Sequence, residues 1–154
     1  MIALHFGAAL VDGSLLIQHA ALAERHGFGF VAVGEHLMRH DPPGATLTAL
    51  PALAAAAGAT KHIGLLSSVA IAPLHRPVWL AKDAAVVDTI SGGRLTLGLG
   101  VGGEFKREFE LSGVPLRQRG ARMDEALPLL RRLWSERDVA HHGRYFDVNG
   151  ATLS

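Results

Sequence analysis

The sequence predicts an α/β fold organised on a parallel sheet, and three features carry the prediction. Four short apolar runs, residues 2–7, 28–34, 63–71 and 95–100, alternate with longer helix-like segments. The runs are apolar along their length rather than at every second residue, the pattern of strands covered on both faces. Glycine, proline or a capping residue punctuates the junctions. The resulting order is β-α-β-α-β-α-β-α with a closing hairpin, and such parallel units cross over with a right hand. An open doubly wound sheet and part of a (β/α) barrel both satisfy that order. In both, chemistry collects at the C-terminal ends of the strands.

Residues 2–7 (IALHFG) form the first strand. Asp12-Gly13-Ser14 makes a turn with Ser14 as N-cap, and a helix spans 15–26 and stops at Gly27. The second strand, 28–34 (FGFVAVG), ends on Glu35-His36. A loop containing Asp41-Pro42-Pro43-Gly44 follows. Thr48 caps a second helix, with Pro51 in its tolerated first turn. Alanines at 54–57 let that helix approach a sheet closely, and Gly58 ends it. The third strand is 63–71 (IGLLSSVAI). His75-Arg76-Pro77 opens the third helix, because proline is pre-set for a first turn. Trp79, Val86 and Ile90 fall on one of its faces, and Ser91-Gly92-Gly93 ends it. The fourth strand, 95–100, runs into a cluster formed by Gly98, Gly100, Gly102 and Gly103. Residues 104–110 (EFKREFE) read as a short amphipathic helix with Phe105 and Phe109 on one side. A long helix over 117–136 puts Met123, Leu127, Leu130 and Trp134 on a face, and Pro128 is expected to kink it. In the tail, residues 144–153, Asn149-Gly150 signals a type I′ hairpin turn.

Composition narrows the function classes. With 154 residues, 49% of them hydrophobic, the chain is expected to form one domain with a sizeable core. Lys+Arg 15 against Asp+Glu 14 leaves a net charge of +1, without the basic footprint of a nucleic-acid binder. The absence of cysteine excludes disulfides, thiolate chemistry and cysteine zinc sites. Met1 leads into the first strand without a basic n-region, and no apolar run has the length of a membrane span. A soluble cytoplasmic protein is the expectation.

Three strand ends are candidates for a site: Glu35-His36, Ser67-Ser68 and residues 98–104. Glu35-His36 sets a carboxylate beside an imidazole. Histidine suits proton transfer near neutral pH, and a carboxylate can orient it or hold a ligand hydroxyl. Equally, the two can close the strand as a hydrogen-bonded polar pair. The Ser67 and Ser68 hydroxyls can bond a ligand or the neighbouring backbone. Residues 98–103 (GLGVGG) match G-x-G-x-x-G, but a dinucleotide fingerprint needs an acidic strand end about 20 residues on. Asp124 and Glu125 stand at that distance inside a helix, so the match fails. Glycines crowding a strand end suit a flat ring or a phosphate close to the backbone, or else a tightly packed loop. No H-E-x-x-H occurs among the nine histidines, and the segment after His36 leads past His40 into a Pro-Pro-Gly loop. His141-His142 read as a solvated pair in a polar turn, so no metal site is expected.

The run SGGRLTLGLGVGGEFKREFELSGVPLRQRGARMDEALPLLRRLW is preceded by GFGFVAVGEH, HIGLLSSVAIAPLHRP and VWLAKDAAVVDTISGGR, and followed by WSERDVAHHGRYFDV. Together these resemble the luciferase-like monooxygenase family, and within it the deazaflavin (F420)-dependent oxidoreductases. The resemblance runs over residues 28–148 and implies a TIM barrel, coenzyme F420 or alternatively FMN, and hydride or oxygen chemistry. It carries the family's acidic residue and histidine onto Glu35 and His36, with His36 as proton donor oriented by Glu35. It implies a non-proline cis peptide under the ring at Ser68-Val69, and a cofactor-lining rim at Val101, Gly102 and Gly103. Some deazaflavin relatives carry threonine where this chain has Val101, and the loop from His36 to Thr46 is shorter than the family's usual one.

A (β/α)8 barrel takes about 250 residues, so four units and a hairpin make half a barrel. A half barrel exposes two strand edges and an apolar flank. Such a chain is expected to pair as a homo-oligomer or to belong to a longer protein. The reading is an F420-dependent oxidoreductase acting on a small organic substrate. An FMN-dependent monooxygenase is one alternative, and a non-catalytic half barrel that dimerises and binds flavin weakly or not at all is another.

Overall fold

The computed structural model describes residues 2–6, 13–40, 43–44 and 46–153. The elements are β1 Ala3–Phe6, α1 Gly13–Arg25, β2 Phe30–Val33, β3 Arg39–His40, β4 Pro43–Gly44, α2 Ala49–Ala59, β5 Gly64–Ile71, α3 Pro77–Ser91, β6 Leu95–Gly100, α4 Lys106–Leu111, α5 Arg119–Ser135, β7 Val139–His142 and β8 Asp147–Ala151. The predicted turn residue Asp12, the strand residue Gly7 and the Asp41-Pro42 step lie outside the described residues. Two compact units emerge: Met1–Ala70 with Val86–Leu99, and Ile71–Ala85 with Gly100–Ser154.

The first unit is built on the sheet. Its strands run in the order β1-β2-β5-β6. β1 pairs with β2 in parallel, Ala3 opposite Phe30, and β2 pairs with β5 in parallel, Phe30 opposite Gly64. Spatial order follows chain order. A doubly wound sheet turns back on itself partway and opens a ligand crevice there. This sheet does not turn back, and its steady progression is that of a barrel wall. Among the described residues, four parallel strands with their helices, and no closed barrel, make up the half-barrel that the sequence predicts.

Val31, Val33 and Leu65 are fully buried in the sheet. The helical cover is small-residue: Ala20 of α1 and Ala49, Leu53 and Ala56 of α2 are also fully buried. Alanine lets a helix come close, and dispersion is gained at short range. Arg94 ties the bottom of this unit together. Its guanidinium donates to the carbonyls of Ala57 (3.2 Å), Thr60 (3.1 Å), Ile63 (2.8 Å) and Ser91 (2.6 Å), and to the Thr60 hydroxyl (2.9 Å). A cation at the carbonyl end of α2 satisfies groups the helix leaves open and complements its dipole. Where the sequence suggests only a loop, β3 and β4 form a small antiparallel pair, Arg39 opposite Gly44.

In the second unit, Ile71, Phe109 and Val114 form a buried cluster with Leu74 and Leu116 against it. Helix α5 runs through Pro128, which lies on its exposed side. Its buried face is Ala126, Leu129, Leu130 and Leu133. Of the predicted face only Leu130 is fully buried, and Trp134 is 44% exposed, its indole N–H donating to the Ala81 carbonyl at 2.9 Å. The predicted face of α3 is likewise displaced. Trp79, Val86 and Ile90 are 67%, 44% and 56% exposed, while Leu80, Ala81, Ala84 and Val87 are buried. Periodicity locates a stripe, but small residues can take the inner face and leave the large ones outside.

The closing hairpin forms, with its turn elsewhere. β7 and β8 pair antiparallel, His142 opposite Asp147, so the chain reverses between those residues. Asn149-Gly150 lies inside β8. The register slips there: Val139 faces Ala151 while His141 faces Val148. Gly150 has φ +68°, and the pair is a bulge rather than a turn. The glycine does take left-handed backbone, but inside a strand rather than at the reversal. The same pairing corrects His141-His142, which lie in a strand and not in a polar turn.

Candidate functional site

In the first unit, β2 and β5 deliver their ends side by side. Their register runs to Val33 opposite Ser67. Glu35-His36 and Ser68-Val69 therefore leave the same edge of the sheet on neighbouring strands. The Ser68-Val69 peptide is cis, as the resemblance implied. Ser68 is exposed and Val69 is 41% exposed. Ser67 is fully buried, and its hydroxyl donates to the Gly98 carbonyl at 2.8 Å. That hydroxyl serves the neighbouring strand. Gly98 answers the same packing, because a Cβ there would collide with the Ser67 carbonyl.

Glu35 is buried, and its Oε1 accepts the Ala49 amide at 3.3 Å, where α2 begins. The His36 amide donates to the Leu47 carbonyl at 3.2 Å. The His36 side chain is half-buried. Thr48 holds the predicted N-cap position of α2, but its hydroxyl makes no capping bond. The carboxylate of Glu35 occupies that role from another element.

In the second unit, Val101 follows β6 directly and is 42% exposed. Gly102 has φ +63°, and a Cβ there would lie 2.5 Å from Ile71 Cγ2 and 3.3 Å from the Phe109 ring. Packing alone therefore demands glycine at 102. At Gly103 the neighbour is the Arg119 side chain, 3.1 Å from a Cβ position.

One polar cluster of the second unit has no counterpart among the sequence-predicted sites. Glu125 of α5 accepts the amides of Arg144, Tyr145 and Phe146 at 2.9–3.2 Å. Its Oε1 also lies 3.1 Å from His141 Nε2, which is the donor when the carboxylate is ionised. Burial pushes the Glu125 carboxyl up, but the His141 bond and the Phe146 and Tyr145 amides outweigh it and hold it below its ordinary value. Glu24 behaves alike: burial raises it, and the amides of Lys61, His62 and Ile63 bring it below. In the sequence Glu125 shows only as a helix acid followed, 16 residues on, by His141-His142-Gly143-Arg144, which pattern reading gives no means of joining. Among the described residues no group of three or more histidine, aspartate or glutamate side chains is placed to hold a metal ion. Among them, too, no helix is long and apolar enough to cross a membrane.

The model of the luciferase-like monooxygenase family matches residues 6–154. The chain belongs to that family. Among luciferase-like relatives, an F420-dependent glucose-6-phosphate dehydrogenase of Beutenbergia cavernae is 37% identical over 144 residues, 90% of this chain and 42% of that protein. The oxygenase component of a flavin-dependent trigonelline monooxygenase from Acinetobacter baylyi is 32% identical over 140 residues, 89% of this chain and 38% of that protein. The crystal structure of the monooxygenase RslO1 from Streptomyces bottropensis superposes with a TM-score of 0.88 at 28% identity, over 99% of this chain and 49% of that one. The chain thus spans less than half the length of each.

The β5 end is exposed at Ser68 and Val69. An exposed valine beside an exposed serine, at the carboxyl edge of a parallel sheet, offers an apolar surface with a polar rim.

Proposed function

We propose that the protein is an oxidoreductase of the luciferase-like family, using F420 for hydride transfer to a small organic substrate. The observation that carries the reading is the register of β2 and β5. It sends His36 and Ser68-Val69 off the same sheet edge on adjacent strands. F420-dependent relatives support the deazaflavin; the flavin-dependent trigonelline monooxygenase favours FMN as the second reading. When bound, the cofactor would supply the ring carbon that gives or takes the hydride.

The chain's own residues have separable tasks. Ser68 and Val69 would hold one face of the ring. His36 holds or releases the proton that accompanies hydride transfer, a task imidazole suits near neutral pH. The assignment of Val101, Gly102 and Gly103 to the cofactor rests on the family resemblance, and the exposure of Val101 is compatible with it. Assembly as a homo-oligomer, through the outer strands β1 and β6 of the sheet or an apolar flank, belongs to the same proposal.

Titration of the purified protein with F420 and with FMN, alongside its mass in solution, tests the reading. Tight F420 binding is expected; tight FMN binding with none of F420 transfers the assignment to the second reading. Binding of neither defeats both. His36→Ala should lower turnover about 100-fold or more, in the range of lost acid-base catalysis, while cofactor affinity changes little. Equal losses in the two would remove His36 from proton transfer.

A further inference from the structure

The carboxylate of Glu35 is buried beside the proposed proton donor, yet it already has work to do. Helix α2 starts without the usual means of capping. Thr48 stands at the N-cap with φ −92° and ψ 134° but its side chain makes no capping bond, and the first turn contains no acidic residue. Pro51 has no N–H to satisfy, and the Ala52 amide reaches the Thr48 carbonyl at 3.3 Å. Glu35 Oε1 takes the Ala49 amide and sets a carboxylate at the positive end of the helix. One residue on, the His36 amide donates to the Leu47 carbonyl. These two bonds cross the base of residues 37–46 and fasten the exit of β2 to the start of α2.

We infer that Glu35 is a positioning residue, which caps α2 through its side-chain oxygen and so fixes the backbone of His36, rather than a group that exchanges protons with substrate. The inference rests on the proposed role of His36. It makes a chemical distinction. Capping needs an acceptor oxygen at Glu35, which an amide also provides, whereas proton exchange or charge pairing needs the carboxylate.

Three variants in the full protein decide the matter: Glu35→Gln, Glu35→Asp and Glu35→Ala. Gln keeps an oxygen at the same reach, Asp withdraws it by one methylene, and Ala removes it. Hydrogen exchange at the Ala49 amide reads the cap without any cofactor. Exchange should stay near wild type in Gln and rise about fivefold to tenfold in Asp and Ala, as expected for a lost cap. Turnover should follow the same order, with Gln within about threefold of wild type and its pH profile unshifted, since an amide still supplies the acceptor. If Gln loses as much turnover as Ala while the Ala49 amide stays protected, the carboxylate charge acts on the chemistry and the inference falls. It falls equally if Ala49 exchanges at the wild-type rate in Asp. Should Ala fail to fold, Gln against Asp carries the same contrast. Failure of wild type to bind F420 or FMN is a separate result that removes the function and leaves the exchange readout standing.

Discussion

Glu35 and Glu125 are both carboxylates fastened to backbone amides, and the contrast between them lies in reach and company. Glu35 sits at a strand end in the first unit, takes the Ala49 amide at the start of a helix, and is followed at once by His36. Glu125 projects from the middle of a helix in the second unit and takes three amides of a hairpin turn together with an imidazole. His36 adjoins Glu35 in sequence, whereas His141 is 16 residues from Glu125 and bonded to it. Adjacency along an extended chain sends successive side chains to opposite sides, so it is a poor guide to which acid holds which base. Position does better. Glu35-His36 stands at the carboxyl edge of a parallel sheet, where such folds place chemistry. The Glu125 cluster fastens α5 to its hairpin.

The sharpest way to break this contrast is to remove Glu125. Glu125→Ala leaves three amides without their acceptor and should cost about 3 kcal/mol of stability, since orphaned polar groups lose more than an average bond is worth. Urea unfolding measures it. A cost below 1 kcal/mol would mean that water replaces the carboxylate without loss.

The pH dependence follows from the same cluster. The Glu125 carboxyl titrates below its ordinary value of 4.5 in the folded protein. A depressed folded value means the unfolded chain takes up the proton first. The stabilisation is therefore complete above the ordinary value and is lost as pH falls through the folded one. Stability measured from pH 7 downward should fall below pH 4.5 in wild type and fall less steeply in Glu125→Gln. Parallel curves would detach this loss from Glu125.

Gly102 tests whether the glycine rim is packing or ligand surface. Gly102→Ala brings a Cβ against Ile71 and the Phe109 ring at a φ of +63°. A cost of about 2–3 kcal/mol is expected from overpacking and left-handed backbone together. If stability hardly moves and cofactor affinity alone drops, the glycine serves the ligand.

The reach of the sequence was uneven for physical reasons. Strands 95–100 and the Gly92-Gly93 helix stop were legible because apolar runs and glycine caps are local signals. The four-unit order was legible because it repeats. The faces of α3 and α5 were not: in α3, Ala81 and Ala84 took inner positions that larger residues were expected to hold, and in α5 the inner stripe is shifted onto Ala126, Leu129, Leu130 and Leu133. The Asn149-Gly150 pair announces left-handed backbone, which a bulge uses as readily as a turn. Within the candidate site, residue types at Glu35, His36, Ser68 and Val69 could be singled out from the chain. The capping bond from Glu35 to Ala49, 14 residues on, could not, since nothing in the residues between announces it. Arg94 escaped notice for the same reason: its acceptors are brought together only by folding.

The smallest contrast separates neighbours on one helix. Val86 and Val87 follow each other in α3; the first is 44% exposed and the second 3%. Val87→Ala removes two buried methyl groups and leaves a small cavity, for a cost of about 1.5–2.5 kcal/mol. Val86→Ala deletes the same atoms from a side chain largely in water and should stay within about 0.5 kcal/mol of wild type. Differential scanning calorimetry on the pair resolves such a gap. A loss at Val86 as large as that at Val87 would mean that another surface covers the outer face of α3 in solution. Trp79 and Ile90, exposed along the same face, would then be the next residues to truncate, and a dependence of the loss on protein concentration would identify the cover as a second copy of the chain.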